Sequence, residues 1–376
     1  MWIDSNFDGG NIEVVVCEDP TNIRVKIKKD TNSEFSQWFS FHLYGAKDQN
    51  IRIFFENAGT TSYPKGWENY QVRHSLDGIV WNCTPTTFDG SQIIVEHAPL
   101  NDFVHYAYFA PYSLARHVSV LRHAQKNGCR IIHLGTTVQG RPMTEIQIGT
   151  GPMQVWLIGR QHPGETMAQW WMEGLISRLC RSSDPISREI QNIATLHIVP
   201  NMNPDGSYLG NLRSNAAGAN LNREWAEPSL DRSPEVFCVR YAMEQDGVDL
   251  CIDVHGDEGL PYNFFSFPTG IPSLTERQSD EFTILEECFV RASPDFQTKF
   301  GYPITPKGQA NLGICASFIA EHFGCVGVTL EQPFKENANA PDPIVGWSPQ
   351  KSVDFGHSSL TAIYNYLQIR KEKHLK

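Results

Sequence analysis

Several stretches of this chain are apolar almost without a break: residues 155–158, 196–199, 250–254 and 326–330. Short runs of that kind suit strands buried on both faces, which need one layer of structure above and another below. Further strand candidates are 131–134 and 145–148. Between them lie segments of helical spacing at about 166–180, 233–245, 275–292, 312–323 and 352–370. Ser113 is placed to cap another helix, running to about Asn127 with Gly128 as its stop. This alternation predicts an α/β unit: a mixed sheet covered by helices on both faces, spanning residues 111–376.

Upstream of residue 110 the period shortens to two. Ile23-Arg24-Val25-Lys26-Ile27 alternates apolar and polar, as do Phe39, Phe41 and Leu43, and then Ile51-Arg52-Ile53. Turn signals rich in Asp, Asn and Gly separate these runs, so residues 1–110 are expected to form an antiparallel β-sandwich domain. Its aromatics (Trp2, Trp38, Phe39, Phe41, Tyr44, Phe54, Phe55, Trp67, Trp81) read as sandwich core, with a ligand-binding face as the other reading. With no internal repeat and no low-complexity linker, the two parts are expected to pack closely.

Composition removes several classes. With 40 % hydrophobic and 19 % charged residues in 376, the chain has ample material for a core. A net charge of −11 lacks the basic field that grips phosphate backbones, which argues against nucleic acid as a partner. No apolar run approaches the ~20 residues that span a bilayer, so no membrane association is expected. The start, MWIDSNFDGG, is acidic and unlike a signal peptide. Nine scattered cysteines without a C-x-x-C read as reduced core residues of a cytoplasmic protein.

Four clusters carry chemistry. His162-Pro163-Gly164-Glu165 follows the run 155–158, on a tight bend that can aim an imidazole and a carboxylate at one point. Ligands of open α/β sheets bind beyond the carboxyl ends of strands, which is where this bend falls. Asp253-Val254-His255-Gly256-Asp257-Glu258 places His255 at a second strand end. Two His and one Glu match a catalytic zinc that keeps one position open. Glu331 closes a third strand, where a carboxylate can serve as proton acceptor for a metal-activated water. The fourth cluster is a loop of some 25 residues after strand 196–199, running from Pro200 through Arg213 to Asn222-Arg223-Glu224-Trp225. Its arginines and asparagines can bind an anion. Each cluster alone also has a plainer reading: a surface turn, a core histidine, a solvent-facing glutamate, a solvated loop.

In this order the four clusters resemble the zinc metallocarboxypeptidases, and most closely the cytosolic carboxypeptidase branch, which carries a small β-domain ahead of its catalytic domain. Tyr108-Phe109-Ala110-Pro111-Tyr112, His162-Pro163-Gly164-Glu165, Asn203-Pro204-Asp205-Gly206 and Leu221-Asn222-Arg223 carry the likeness, which spans nearly the whole chain. The resemblance implies one zinc ion per chain, held by His162, Glu165 and His255. It implies Glu331 as general base, Arg213 as partner of the oxyanion, and Asn222 and Arg223 as a clamp on the terminal carboxylate of a peptide or protein substrate. Asn220 stands where the wider family has an aspartate that orients a zinc-bound histidine. Between Tyr302 and Glu331 there is no tyrosine to match the one that pancreatic-type members use. Across 305–311 the only cation is Lys307, which leaves the preferred terminal residue open. Two other readings stand beside carboxypeptidase: a zinc amidohydrolase of N-acyl amino acids, and a scaffold without catalysis whose β-domain binds a partner.

Overall fold

The computed structural model describes residues 1–374. Its first part holds β1 (Trp2–Asp4), β2 (Glu13–Val16), β3 (Ile23–Lys26), β4 (Ser40–Tyr44), β5 (Ile51–Phe55), β6 (Arg73–Ser75), β7 (Asn82–Cys83), β8 (Thr86–Phe88), β9 (Ile93–His97) and β10 (Phe103–Ala107). These form two five-stranded sheets, ordered β1-β4-β10-β6-β7 and β2-β3-β5-β9-β8. Neighbours run antiparallel except β3 and β5, which pair in parallel. The period-2 pattern is realised directly: Ile23 and Val25 are buried while Arg24 and Lys26 point outward. Phe39 and Phe41 of one sheet meet Phe55 of the other at 4.6 and 6.2 Å between ring centres. Trp38, Trp67 and Trp81 are buried as well, so most of the aromatics are packing residues; Trp2 is exposed and stacks on Tyr44.

The second part holds α1 (Leu114–Lys126), β11 (Arg130–Thr136), β12 (Pro142–Ile148), β13 (Met153–Gly159), α2 (Met167–Leu179), α3 (Pro185–Ile193), β14 (Ala194–Val199) and α4 (Pro204–Leu209). It continues with α5 (Pro234–Asp246), β15 (Leu250–Val254), β16 (Phe264–Ser266), α6 (Glu276–Ala292), α7 (Cys315–Phe323), β17 (Val326–Glu331) and α8 (Pro349–His374). The sheet order is β11-β12-β14-β13-β15-β17-β16. Its centre, β14-β13-β15-β17, is parallel, and the flanking pairs are antiparallel. Alternate residues of one strand serve opposite layers. Val155 and Leu157 pack in the layer that contains residues of α2, α3, α6 and α8, and Trp156 and Ile158 in the layer with α5 and α7. The parallel strands therefore end together, and Gly159, Val254 and Glu331 lie along one edge.

Local signals start the helices. Ser113 Oγ accepts the Arg116 N–H at 3.1 Å, and Thr275 with Gln278 forms a capping box at the start of α6. Three elements depart from the sequence reading. α3 starts on Asp184 and Pro185, α4 on Asn203 and Pro204, and β16 is an edge strand of three residues. All are too short for periodicity to register.

α2 and α8 cross with backbones almost touching. A Cβ on Gly174 would lie 2.0 Å from the Val353 carbonyl oxygen, and one on Gly356 would lie 2.1 Å from that of Trp171. Gly174→Ala gains ~1 kcal/mol of helix propensity, yet it should destabilise the fold by about 1–3 kcal/mol through overpacking. Thermal unfolding checks this, and a melting point at or above that of the parent chain would contradict it. Glu235, fully buried in the first turn of α5, has its carboxyl pushed up to about 7 by burial, although Asn215 Nδ2 donates to it at 3.0 Å. A raised folded pKa stabilises below the unfolded value and loses that contribution as pH rises through the folded value. Glu235→Gln should therefore leave stability at pH 4 nearly unchanged and raise it above pH 7, by up to roughly 3 kcal/mol; denaturant titrations at the two pH values check this.

Candidate active site

Each strand end delivers one part of the site. Beyond β13 the chain turns at Arg160, whose φ of +59° is unusual for a non-glycine residue. Its buried guanidinium donates to the Pro163 carbonyl at 2.8 Å and the Tyr112 carbonyl at 2.9 Å, pinning the 162–165 bend. The Gly164 N–H donates to the Leu212 carbonyl at 2.8 Å, tying that bend to the long loop.

His162, Glu165 and His255 converge there, with relative exposures of 3, 2 and 1 %. Glu165 Oε1 lies 2.7 Å from His162 Nδ1, Glu165 Oε2 lies 2.7 Å from His255 Nδ1, and the two Nδ1 atoms are 3.1 Å apart. The other ring nitrogens face outward to acceptors. His162 Nε2 is 3.0 Å from Asn220 Oδ1, and His255 Nε2 is 2.8 Å from Asp253 Oδ2. Outward acceptors of this kind fix the proton on Nε2 and leave the Nδ1 lone pairs aimed inward. Asn220 thus occupies the orienting position that the sequence assigned it, with a neutral oxygen where a carboxylate would raise ligand basicity further.

Burial and close approach act against one another in this cluster. Burial pushes His162 down to about 3, with Arg213 adding to the effect. Burial opposes charge on His255 too, but Asp253 and Glu165 outweigh it and hold that ring well above its ordinary value. Burial works to raise Glu165, and the two imidazoles overcome it and hold the carboxyl low. Two imidazole nitrogens and one carboxylate, all desolvated, are a donor set that fits a divalent zinc ion.

Glu331, the last residue of β17, is 7 % exposed. Burial raises its carboxyl well above the usual range, and Glu165, Asp257 and Glu258 push the same way against His255. Its Oε2 has no hydrogen-bond partner among the described residues. Its Oε1 lies 3.1 Å from the Tyr302 hydroxyl, which is also 2.5 Å from Asp257 Oδ2, so a single phenolic proton serves two carboxylates in turn. Sequence reasoning passed over Tyr302 while looking for a tyrosine nearer Glu331. It gave Asp253 no role of its own, whereas Asp253 is fully buried and also accepts from Gln161 Nε2 at 2.5 Å. Glu258 is a further buried acid at the site, pushed up to about 8 by burial and by Glu165.

The long loop is far from solvated. Asn203, Asp205, Asn211, Ser214 and Asn215 are all buried, and the loop contains α4 and a 3-10 turn, Leu221–Arg223. Arg213 and Arg223 stand close enough that Arg213 helps burial lower the pKa of Arg223. Neither makes an ion pair among the described residues, so both cations remain free to meet an anion. Asn222 is placed differently from them. Its Oδ1 accepts the Cys315 N–H at the start of α7 at 2.8 Å, and its Nδ2 lies 3.3 Å from His255 Nε2. A cleft of about 1030 Å³ opens between residues 62–69 and Arg213, Glu258, Tyr302 and Lys335. A second, of about 740 Å³, is lined by Ile314, Ala316, Thr329 and again Tyr302.

Known proteins share this architecture. The zinc carboxypeptidase family matches residues 116–341, and the cytosolic carboxypeptidase N-terminal domain matches residues 3–109. The chain belongs to the zinc carboxypeptidase family and is a metallocarboxypeptidase. Within the family it is similar to a metallo-carboxypeptidase of Burkholderia cenocepacia, at 46 % identity and a TM-score of 0.96, covering 98 % of this chain and 99 % of that one. It is also similar to a Pseudomonas aeruginosa metallo-carboxypeptidase solved with (2-guanidinoethylmercapto)succinic acid, at 39 % identity and a TM-score of 0.95, over 97 % and 98 % of the two chains. Cytosolic carboxypeptidase 6 of Mus musculus is 30 % identical over 77 % of this chain and 62 % of its own length. Among the described residues no helix is long and apolar enough to cross a membrane.

Asp253→Asn should weaken zinc binding about 10- to 100-fold, because the outward partner of a ligating histidine tunes its basicity. Competition against a chromogenic chelator measures this, and unchanged affinity would remove Asp253 from the metal centre.

Proposed function

We propose that this protein is a zinc-dependent exopeptidase that removes the C-terminal residue of peptides or proteins. The convergence of His162 Nδ1, His255 Nδ1 and the Glu165 carboxylate within 4.8 Å of one another carries this reading. One zinc ion per chain, held by these three residues, supplies polarisation of the scissile carbonyl and lowers the pKa of a water molecule to ~7.

The chain's own residues do the rest. Glu331 accepts the proton of the attacking water at its unpartnered Oε2 and returns it to the leaving amine nitrogen. Its desolvation strengthens it as a base, and the Tyr302 hydroxyl holds its Oε1. Arg213 presents its guanidinium to the carbonyl oxygen as charge develops there, a contribution of about 3–4 kcal/mol for a preorganised donor. Arg223 pairs with the terminal carboxylate, and Asn222 supports that clamp through Nδ2, its oxygen being committed to α7. Only the last residue of a chain offers such a carboxylate, which makes the reaction exopeptidic. The larger cleft has room for the residues ahead of the scissile bond, which favours peptides over small N-acyl amino acids. The Pseudomonas relative's complex with a succinic acid derivative supports a carboxylate-recognising site here too. Nine cysteines without a disulfide, and relatives named cytosolic carboxypeptidases, support a cytoplasmic location.

Zinc-loaded protein incubated with a peptide library should shorten peptides by one residue at the C-terminus, read by mass spectrometry. Peptides with amidated termini should survive, and internal cleavage would overturn the reading. Glu331→Gln should keep about one zinc per chain while kcat falls by ~10²–10⁴; full turnover in that variant would remove Glu331 from the mechanism. Arg223→Ala should raise KM more than it lowers kcat, since it removes ground-state recognition of the carboxylate.

A further inference from the structure

The segment between β3 and β4 reaches out of the N-terminal sheets and grips the long loop through one carboxylate. Asp30 is 4 % exposed. Its Oδ1 accepts the Leu212 N–H at 2.6 Å, and its Oδ2 accepts the Arg213 N–H at 2.7 Å, the Ser214 N–H at 2.9 Å and the Ser214 hydroxyl at 3.1 Å. On either side, Asn211 Oδ1 accepts the Thr31 N–H at 3.0 Å, and Asn32 Nδ2 donates to the Ala216 carbonyl at 2.9 Å. A Cβ on Gly218 would lie 2.1 Å from the Asn32 carbonyl oxygen, so the two segments touch backbone to backbone.

The guanidinium of Arg213 is held by the same part of the molecule. It lies 5.6 Å from the ring centre of Phe35 and 5.5 Å from that of Tyr63. Tyr63 is itself clasped through its main chain: its N–H donates to Gln37 Oε1 at 3.1 Å, and its carbonyl accepts from Gln37 Nε2 at 3.0 Å. Three successive N–H groups turned toward one carboxylate fix the backbone that launches the arginine side chain. Two aromatic faces then attract its charged end without neutralising it. A buried carboxylate with no ion pair among the described residues is an expensive way to join two surfaces, whereas a donor aimed in advance at a developing charge is where such expense yields rate.

We propose that Asp30, together with Phe35 and Tyr63, positions the Arg213 guanidinium for the reaction, so that the N-terminal sheets complete the active centre. This rests on the carboxypeptidase reading of Arg213 given above. The test uses the full zinc-loaded chain in four forms: parent, Asp30→Asn, Arg213→Ala and the double variant. Asp30→Asn should retain zinc, lower kcat about 10-fold or more and change KM little, as expected when only a transition-state contact is lost. In the Arg213→Ala background the same change should cost less than about twofold, because coupled residues are not additive. Equal losses in both backgrounds would overturn the proposal. If Asp30→Asn fails to fold, Phe35→Leu with Tyr63→Leu, which removes the rings and leaves the carboxylate, replaces it in the same cycle with the same two outcomes. A parent chain that holds zinc but cleaves no peptide would sink the peptidase reading by itself. The crystal structure of Asp30→Asn would then decide this inference: displaced residues 212–214 support it, and unmoved ones overturn it.

Discussion

Two imidazoles and a carboxylate taken out of water cannot be left electrically uncompensated, and much of the molecule is arranged around that fact. Desolvation opposes charge on all three groups, while the imidazoles hold the Glu165 carboxyl low and Asp253 with Glu165 holds His255 well above its ordinary value. The outward acceptors Asn220 and Asp253 turn the rings so that the lone pairs meet. Gln161 extends this shell, donating to Asp253 and accepting the Trp225 indole N–H at 2.8 Å, so the long loop is locked to β15 through the partner of His255. Burial that strengthens the site's electrostatics is thus the same burial that orders the loop.

The parallel centre of the sheet makes this convergence possible, because three strands release the chain on one edge with little freedom in where the next side chain points. Segments between the N-terminal strands reach that edge, bringing Asp30, Phe35 and Tyr63 against the Arg213 segment and residues 62–66 to one wall of the larger cleft. The Burkholderia and Pseudomonas structures match nearly the whole chain, so the two parts recur as a pair.

What could be seen in the sequence was what is local. The buried strands 250–254 and 326–330 announced themselves by nearly unbroken apolar runs, and the helix after Ser113 by its cap and its glycine stop. The convergence of His162, Glu165 and His255 was legible because each follows shortly after such a run. Tyr302 was not, since it stands in irregular chain 29 residues before Glu331 and meets it only through tertiary packing. Asp253 did not stand out because nothing in its neighbours reveals which face of a strand lies beneath an imidazole. The long loop stood out by its length, but its polar composition did not reveal that its polar groups are satisfied inside the protein, many by the loop itself and several by a segment some 180 residues earlier. Pairings across such separations are set by tertiary packing and leave no periodic trace.

The clasp between the segment around Asp30 and the loop around Arg213 also bears on how the molecule is made. A chain emerges from the ribosome with its amino end first, and domains generally consolidate as units in that order. The grip is therefore formed from the early part of the polypeptide and can stand ready before the segment it receives has been synthesised. The arginine loop, which has little regular structure of its own to guide it, arrives at a mould already set.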